Sequence, residues 1–338
     1  MKKTYLPILL SLFLGFSCTS KEQEVQRISD PTYQIVSDSI YTRMPGKILY
    51  QDGIVFWEDP TAFDNFMHAI DVRKKTEIAA FANKGEGPYD FTAPLVSLSP
   101  KGGFYLTDLN KPLEIHYQWN PADSTFTSTP RKSPNDNRNV TRMLHLDESQ
   151  VLHHCPKDEK LFQLYTNDAP GLSFGNRPIQ DEMNNPYDVF QGNVEYNHDR
   201  KELVYSALSF PYIAVFNGEK DWALKTEVKG HYDYRINEGD LRFSPDTQRG
   251  VAMEMALTQD YIVLLQRDTQ VEGTIDNKER GRSMKSLPHS LFVYDYNLKL
   301  TKIINMPFPM LRLCGDVKTN TVYAMAINPE FELISIDL

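Results

Sequence analysis

One recurrence limits what this chain can fold into more than any other feature. An alternating apolar strand ending in a polar residue occurs at Met67–Asp71, Glu114–Gln118, Phe162–Thr166, Ile213–Asn217, Leu291–Asp295 and Leu333–Asp337. In the first copy Arg73-Lys74-Lys75 turn the chain into a second strand, Thr76–Ala79. The final residues of successive copies lie 47, 48, 51, 78 and 42 residues apart. Alternation with period two is the mark of a strand that buries one face. Few long stretches place apolar residues at helical spacing, whereas short β-rich runs such as Gly53–Trp57, Gly103–Thr107, Glu202–Ser206 and Tyr261–Leu265 are bounded by Gly, Pro, Asn or Asp. Four of the five spacings suit a four-stranded propeller blade of roughly 40–50 residues. The expected fold is therefore all-β, a six-bladed β-propeller.

The sixth copy stops at the C-terminus without the outer strand that a blade requires. Tyr33–Ile40 alternates and has no other partner. Pairing it with the final copy closes the ring and removes two exposed sheet edges. The blades are expected at residues 44–83, 84–130, 131–175, 176–230, 231–305, and 306–338 plus the N-terminal strand. The polar segment Gln266–Pro288 is expected to supply most of the insertion behind the 78-residue spacing. A seven-bladed ring is the alternative if that spacing holds a degenerate blade.

The N-terminus carries an address. Lys2 and Lys3 precede an apolar stretch from Tyr5 to Phe16, too short to span a bilayer that needs about 20 apolar residues. It has the length and flanks of a cleaved secretory signal. Leu14-Gly15-Phe16-Ser17-Cys18 resembles a bacterial lipobox, with Leu14 one place early and Gly15 where leucine is usual. Such loosened lipoboxes resemble those of Bacteroidetes. The expected organisation is a signal peptide over 1–17, a lipidated Cys18, a polar tether over 18–30 and a propeller over 31–338. The resemblance implies export to the cell envelope and a lipid anchor in a membrane, most simply the outer membrane.

Together with the repeats, Lys84-Gly85-Glu86-Gly87-Pro88-Tyr89-Asp90-Phe91 makes the chain similar to the TolB-like six-bladed propeller lipoproteins of Bacteroidetes. Weaker matches are Asn237–Phe243 and Pro309–Leu313. The resemblance implies fold and compartment and carries no assigned activity.

Connections between blades reach the mouth of a propeller's channel, so ligand-contacting candidates are sought there. Lys84, Glu86 and Tyr89 lie in the first such connection. A blade-to-blade turn in which Glu86 caps backbone amides explains the same residues. Tyr232, Tyr234, Arg235, Glu238 and Arg242 lie in a later connection, where tyrosines and arginines can stack on a sugar or grip a carboxylate. The alternative is a solvated loop whose tyrosines cover a blade edge. Arg312, between Leu311 and Leu313, either lines the channel or pairs with a buried acid.

No catalytic set is nominated, because Gly-x-Ser-x-Gly and His-Glu-x-x-His are both absent. No metal site is nominated either: His153-His154-Cys155 are adjacent on a strand and point to alternate faces. No cofactor is expected. The net charge is −9, near −11 once Lys2 and Lys3 are removed, which disfavours nucleic acid. Cys155 and Cys314 fall in opposite blades and are expected as free thiols. The leading expectation is a binding or scaffold module for a peptide, glycan or envelope partner, held to a membrane through lipid on Cys18. The alternative is a propeller lyase or hydrolase holding a divalent cation in the channel, with Glu86, Asp108, Asn110 and Glu238 as candidate residues. A purely structural envelope subunit is the third option, and a plugged channel mouth would favour it.

Overall fold

A computed structural model describes residues 24–120, 125–133, 139–248, 250–274 and 284–338. The expected signal peptide, Cys18, the polar run 134–138 and most of the charged part of 266–288 lie outside those residues. Six sheets follow one another along the chain, over residues 48–83, 94–132, 142–176, 192–229, 254–305 and 310–337. The first five supply their own four antiparallel strands. The sixth has three, and Gln34–Ser37 adds the fourth against Phe331–Asp337, with Gln34 opposite Ser335 and Ile35 opposite Ile334. This is a six-bladed β-propeller closed by its N-terminal strand.

The alternation seen in the sequence is the alternation of blade faces. In Tyr212–Asn217 and Ile54–Glu58 nearly every residue is buried, because each face meets a neighbouring blade. The outer strand Thr125–Lys132 is almost wholly exposed. Apolar clusters fill five of the six seams between blades; Phe56, Phe104 and Tyr117 fill the first. The seam between the second and third blades has only a small cluster around Met143, Val151 and Cys155. Polar groups take its place. Glu114, 2% exposed, accepts from the Thr107 hydroxyl at 2.7 Å and from Arg131, and lies 3.4 Å from Nε2 of the equally buried His145.

Two elements depart from expectation. Gln26–Ile28, within the segment read as tether, forms a strand parallel to Leu300–Asn305 on the outer edge of the fifth blade. Arg27 pairs with the buried Asp268 and pins it there. The 78-residue spacing has two causes. One is the segment between Tyr261–Gln266 and Ser290–Asp295. The other is a hairpin, Tyr234–Asn237 with Asp240–Phe243, inserted between the fourth and fifth blades. Glu238 and Gly239 form its turn with φ of 53° and 85°, the conformation of a two-residue type I′ turn.

His153 and His154 point to opposite seams, as adjacent strand residues must. His153 stacks near Tyr165 in the second seam, and His154 packs against Phe162 and Tyr205 in the third. Cys155 and Cys314 are buried free thiols. Burial above all, helped by Asp158, pushes the Cys155 thiol up to about 12, and burial likewise raises Cys314. Thiolate is the reacting species. A chain lacking Cys18 should therefore show no rapid labelling by a thiol reagent at pH 8 while native, and two labelled thiols once denatured. Fast native labelling would contradict the burial of both.

Candidate functional site

Neighbouring strands of a blade run in opposite directions. The crossing to the next blade and the turn between second and third strands therefore emerge on one face, hereafter the mouth face. Six innermost strands surround the axis beneath it. Six charged residues from five blades gather there: Lys47 and Glu58 from the first, Arg142 from the third, Glu195 from the fourth, Glu254 from the fifth and Arg312 from the sixth.

The channel is bridged by charge. Lys47 Nζ donates to Glu195 Oε1 at 2.6 Å, an ion pair across the diameter of the ring. Arg312 Nη1 donates to Glu254 Oε1 at 2.8 Å, while its Nε donates to the carbonyls of Pro45 and Gly46 at 3.2 and 3.1 Å. The two alternatives for Arg312 are thus one arrangement: it lines the channel and pairs with an acid. Glu58 accepts from the Lys47 amide at 2.9 Å. Burial raises the carboxyls of Glu58 and Glu254 above the usual range, and the nearby cations offset this only in part. Arg142 acts on both acids electrostatically. Below this layer Leu49, Leu98, Leu257 and Leu313 close the axis, leaving voids of about 20 and 40 Å³. A void that small admits one or two waters and no organic ligand.

The first expected cluster proves to be a built turn. Lys84 Nζ donates to the carbonyls of Pro60 and Ala62 at 3.0 and 3.2 Å. Lys111 Nζ donates to the carbonyls of Gly85, Gly87 and Asp90. The capping acid is Asp90, accepting from the Gly87 amide at 3.0 Å, rather than Glu86. Tyr89 is exposed. Asp108 accepts from the amides of Thr92, Ala93, Asn110 and Lys111, and so braces the next strand. Among the described residues no three His, Cys, Asp or Glu side chains converge as a metal-binding group.

The second cluster belongs to the inserted hairpin. Tyr232 packs on Phe210 and Phe243, and the Tyr234 hydroxyl donates to Asp181. Arg235, Glu238 and Arg242 are exposed on it, with Glu238 at the turn. These residues cover the mouth-face edge of the fourth blade and, among the described residues, make no hydrogen bond or ion pair with the axis residues.

Sequence reasoning missed two clefts on this face. One, about 540 Å³, lies between the segment after the closing strand and the first blade. Tyr41 and Phe63 line it and are 89% and 87% exposed, beside Asp38, Asp59 and Arg43. The other, about 580 Å³, opens between the fourth and fifth blades. Its floor carries Ser206 and Gln266, and its walls Tyr212 and Tyr294.

Fold and site together define a closed six-bladed propeller with a sealed axis and open clefts on one face. The profile described as TolB-like 6-blade propeller-like matches residues 27–308, and the chain belongs to that family. Among curated proteins none matches it. Among solved structures it is similar to the β-propeller domain of Cps50 (Swd1) from Myceliophteria thermophila, at 9% identity over 90% of this chain and 99% of that one, with a TM-score of 0.46. It is also similar to Raptor from Chaetomium thermophilum, at 9% identity over 91% of this chain and 29% of that one, with a TM-score of 0.49.

Proposed function

We propose that the protein is a binding module of the cell envelope, anchored through lipid on Cys18, that holds a peptide, glycan or protein partner on its mouth face. The observation that carries this is the cleft of about 540 Å³ lined by Tyr41 and Phe63. Two aromatic rings almost wholly in water on one rim are costly to solvate and favourable to cover. Exposed aromatics are also the side chains that dominate binding interfaces. The sealed axis supports a rim site over one deep in the channel. The lipobox-like sequence ending at Cys18 supports the anchor.

The test is capture of envelope material by the mature chain and by the Tyr41→Ala/Phe63→Ala variant. These exposed rings bear little of the fold, so the variant should match the parent in thermal unfolding. Capture of a defined partner by the parent, with at least a tenfold loss in the variant, is expected from truncating two aromatic anchors. Capture that ignores both rings would refute the rim site. For the anchor, Cys18→Ala should move the protein from the membrane fraction to the soluble one, and unchanged sedimentation would refute it.

A further inference from the structure

The first five blades supply their own four strands, and the sixth takes its fourth from Gln34–Ser37. The ring is therefore closed without Gln26–Ile28, which lies beyond the complete fifth blade as a fifth strand. Among the described residues no other blade carries one. This strand is held in three ways. Its backbone runs in register with Leu300–Asn305, Gln26 opposite Lys302 and Ile28 opposite Ile304. Ile28 packs against the apolar cluster between the fifth and sixth blades. Arg27 pairs with Asp268, which is 3% exposed and also accepts from the Gln270 amide at 3.1 Å. Taking Arg27 away would leave a buried carboxylate short of its counter-charge, so the pair resists release.

The direction of this strand fixes where the chain leaves the ring. Leu300–Asn305 ends at the crossing to the sixth blade, so it runs toward the mouth face. Gln26–Ile28 is parallel to it and runs the same way. The chain before Gln26 therefore comes from the opposite face, where the turn at Asn297–Lys299 lies. Glu24 stands six positions after Cys18. Six residues of fully extended chain reach about 22 Å at most. Turning back to the mouth plane would use most of that length, because the neighbouring strand rises about 17 Å from Leu300 to Asn305 at about 3.3 Å per residue. Too little is left to carry a bilayer past the loops of that face.

We propose that Gln26–Ile28 is an orientation clamp. It releases the tether at the end of the fifth blade away from the mouth, so that the face opposite the mouth lies toward the bilayer and the mouth face, with both clefts, points away from it. This rests on the lipid anchor at Cys18 proposed above and adds the direction from which a partner comes. The reach of about 22 Å is no greater than the height of a blade, about 20–23 Å for strands of six or seven residues, so the ring cannot turn over on it. A partner held beside Tyr41 and Phe63 arrives from the compartment the mouth faces, and is neither a lipid nor a protein embedded in the same bilayer.

The experiment uses the lipidated chain, purified from membranes and reconstituted into vesicles of phosphatidylethanolamine and phosphatidylglycerol that carry a headgroup-labelled acceptor lipid. Cys155 and Cys314 are buried and Cys18 is taken up by lipid, so a single introduced thiol accepts the donor dye. Asn297→Cys places it in the turn away from the mouth, and Val271→Cys on the mouth side of the same blade; both positions are exposed. Energy transfer to the bilayer should be roughly twofold or more stronger from position 297 than from 271, since the two ends of a blade stand about 20 Å apart. Inserting about twenty Gly-Ser residues between Lys21 and Glu22 leaves the ring's own sequence unchanged and should erase the difference. Replacing Gln26–Ile28 by Gly-Ser-Gly should shrink it while the chain stays monomeric, because Gln34–Ser37 still closes the ring. Sedimentation is read first: labelled chain left in the supernatant removes the anchor, and this proposal with it. Membrane-bound chain with equal transfer from the two positions, stronger transfer from 271, or a difference that survives the long insertion would overturn the orientation and leave the anchor standing.

Discussion

A mature chain that begins at Arg43 will not form a stable monomer. It lacks Gln34–Ser37, the outer strand of the sixth blade, and with it Val36 and Ile40, both buried against Trp57 and Tyr323. Burying two such aliphatics is worth about 4 kcal/mol together, and each lost strand hydrogen bond about 1 kcal/mol more. The sum is comparable to the whole stability of an ordinary domain, about 5–15 kcal/mol. The truncation also bares the edge of Phe331–Asp337, a template for pairing with a second chain. Size-exclusion chromatography should show aggregate in place of monomer. Restoration is the sharper half of the prediction. Gln34 lies opposite Ser335, so the strand can follow Leu338 through a short Gly-Ser turn. A permuted chain carrying residues 31–42 after Leu338 should recover a monomer with cooperative unfolding. A truncated chain that stays monomeric and as stable as the parent would show that the ring needs no closing strand.

Lowering the pH from 7 to 5 should cost several kcal/mol of stability. Burial above all, with His145 nearby, lowers the imidazole of His153 to about 4. Burial above all, with Arg142 nearby, lowers that of His154 to about 3. A base with a depressed native value binds fewer protons folded than unfolded. Its stabilisation is therefore present above pH 6.5 and is lost as pH falls toward the native value. At about 1.4 kcal/mol per pH unit, each histidine should cost about 2 kcal/mol by pH 5.

Burial also lowers His198 and His289, which add to the same loss, whereas the acids act in separate windows. Burial would raise the Glu114 carboxyl, but His145, the Thr107 hydroxyl and Arg131 outweigh it and hold the group at about 2. Its stabilisation is lost only below pH 4.5. The raised carboxyls of Glu58 and Glu254 act with opposite sign, since their ionisation weakens the fold as pH rises. Urea unfolding at pH 7 and 5 should show the loss, and His153→Gln/His154→Gln should reduce the difference between the two pH values by several kcal/mol, leaving the part due to His198 and His289. Equal pH dependence in parent and variant would remove the histidines as its cause.

The ring was readable because each blade presents its second and third strands to a neighbour on both sides. That geometry requires Ile213–Asn217 and Leu291–Asp295 to be apolar and turn-bounded whatever their neighbours are, so the recurrence survives in one dimension. The closing strand was readable for the same reason, as an alternating segment without a local partner. Gln26–Ile28 was not, because three residues give no period. The hairpin at Tyr234–Phe243 did leave a signal, apolar residues alternating on both sides of Glu238-Gly239, which mark a tight turn. Gln266 carried one too, as a polar residue in the phase of Ile262 and Leu264.

The axis left almost no trace. Lys47, Glu58, Arg142, Glu195 and Glu254 are each a single charge in a separate stretch of chain. Only Arg312 stood out, because Met310, Leu311 and Leu313 flank it. Local alternation and turn chemistry depend on neighbours in sequence, so the sequence by itself determined the blades and the strand that joins the ends, while the choice of six over seven blades waited for the inserted hairpin that fills the long spacing. Which charges meet depends on rotation about an axis that no segment contains. Lys47 reaches Glu195 across 148 positions of chain only because the first and fourth blades face each other over a closed ring. The sealed channel and the two clefts were decided there, by where the blades come to rest against one another.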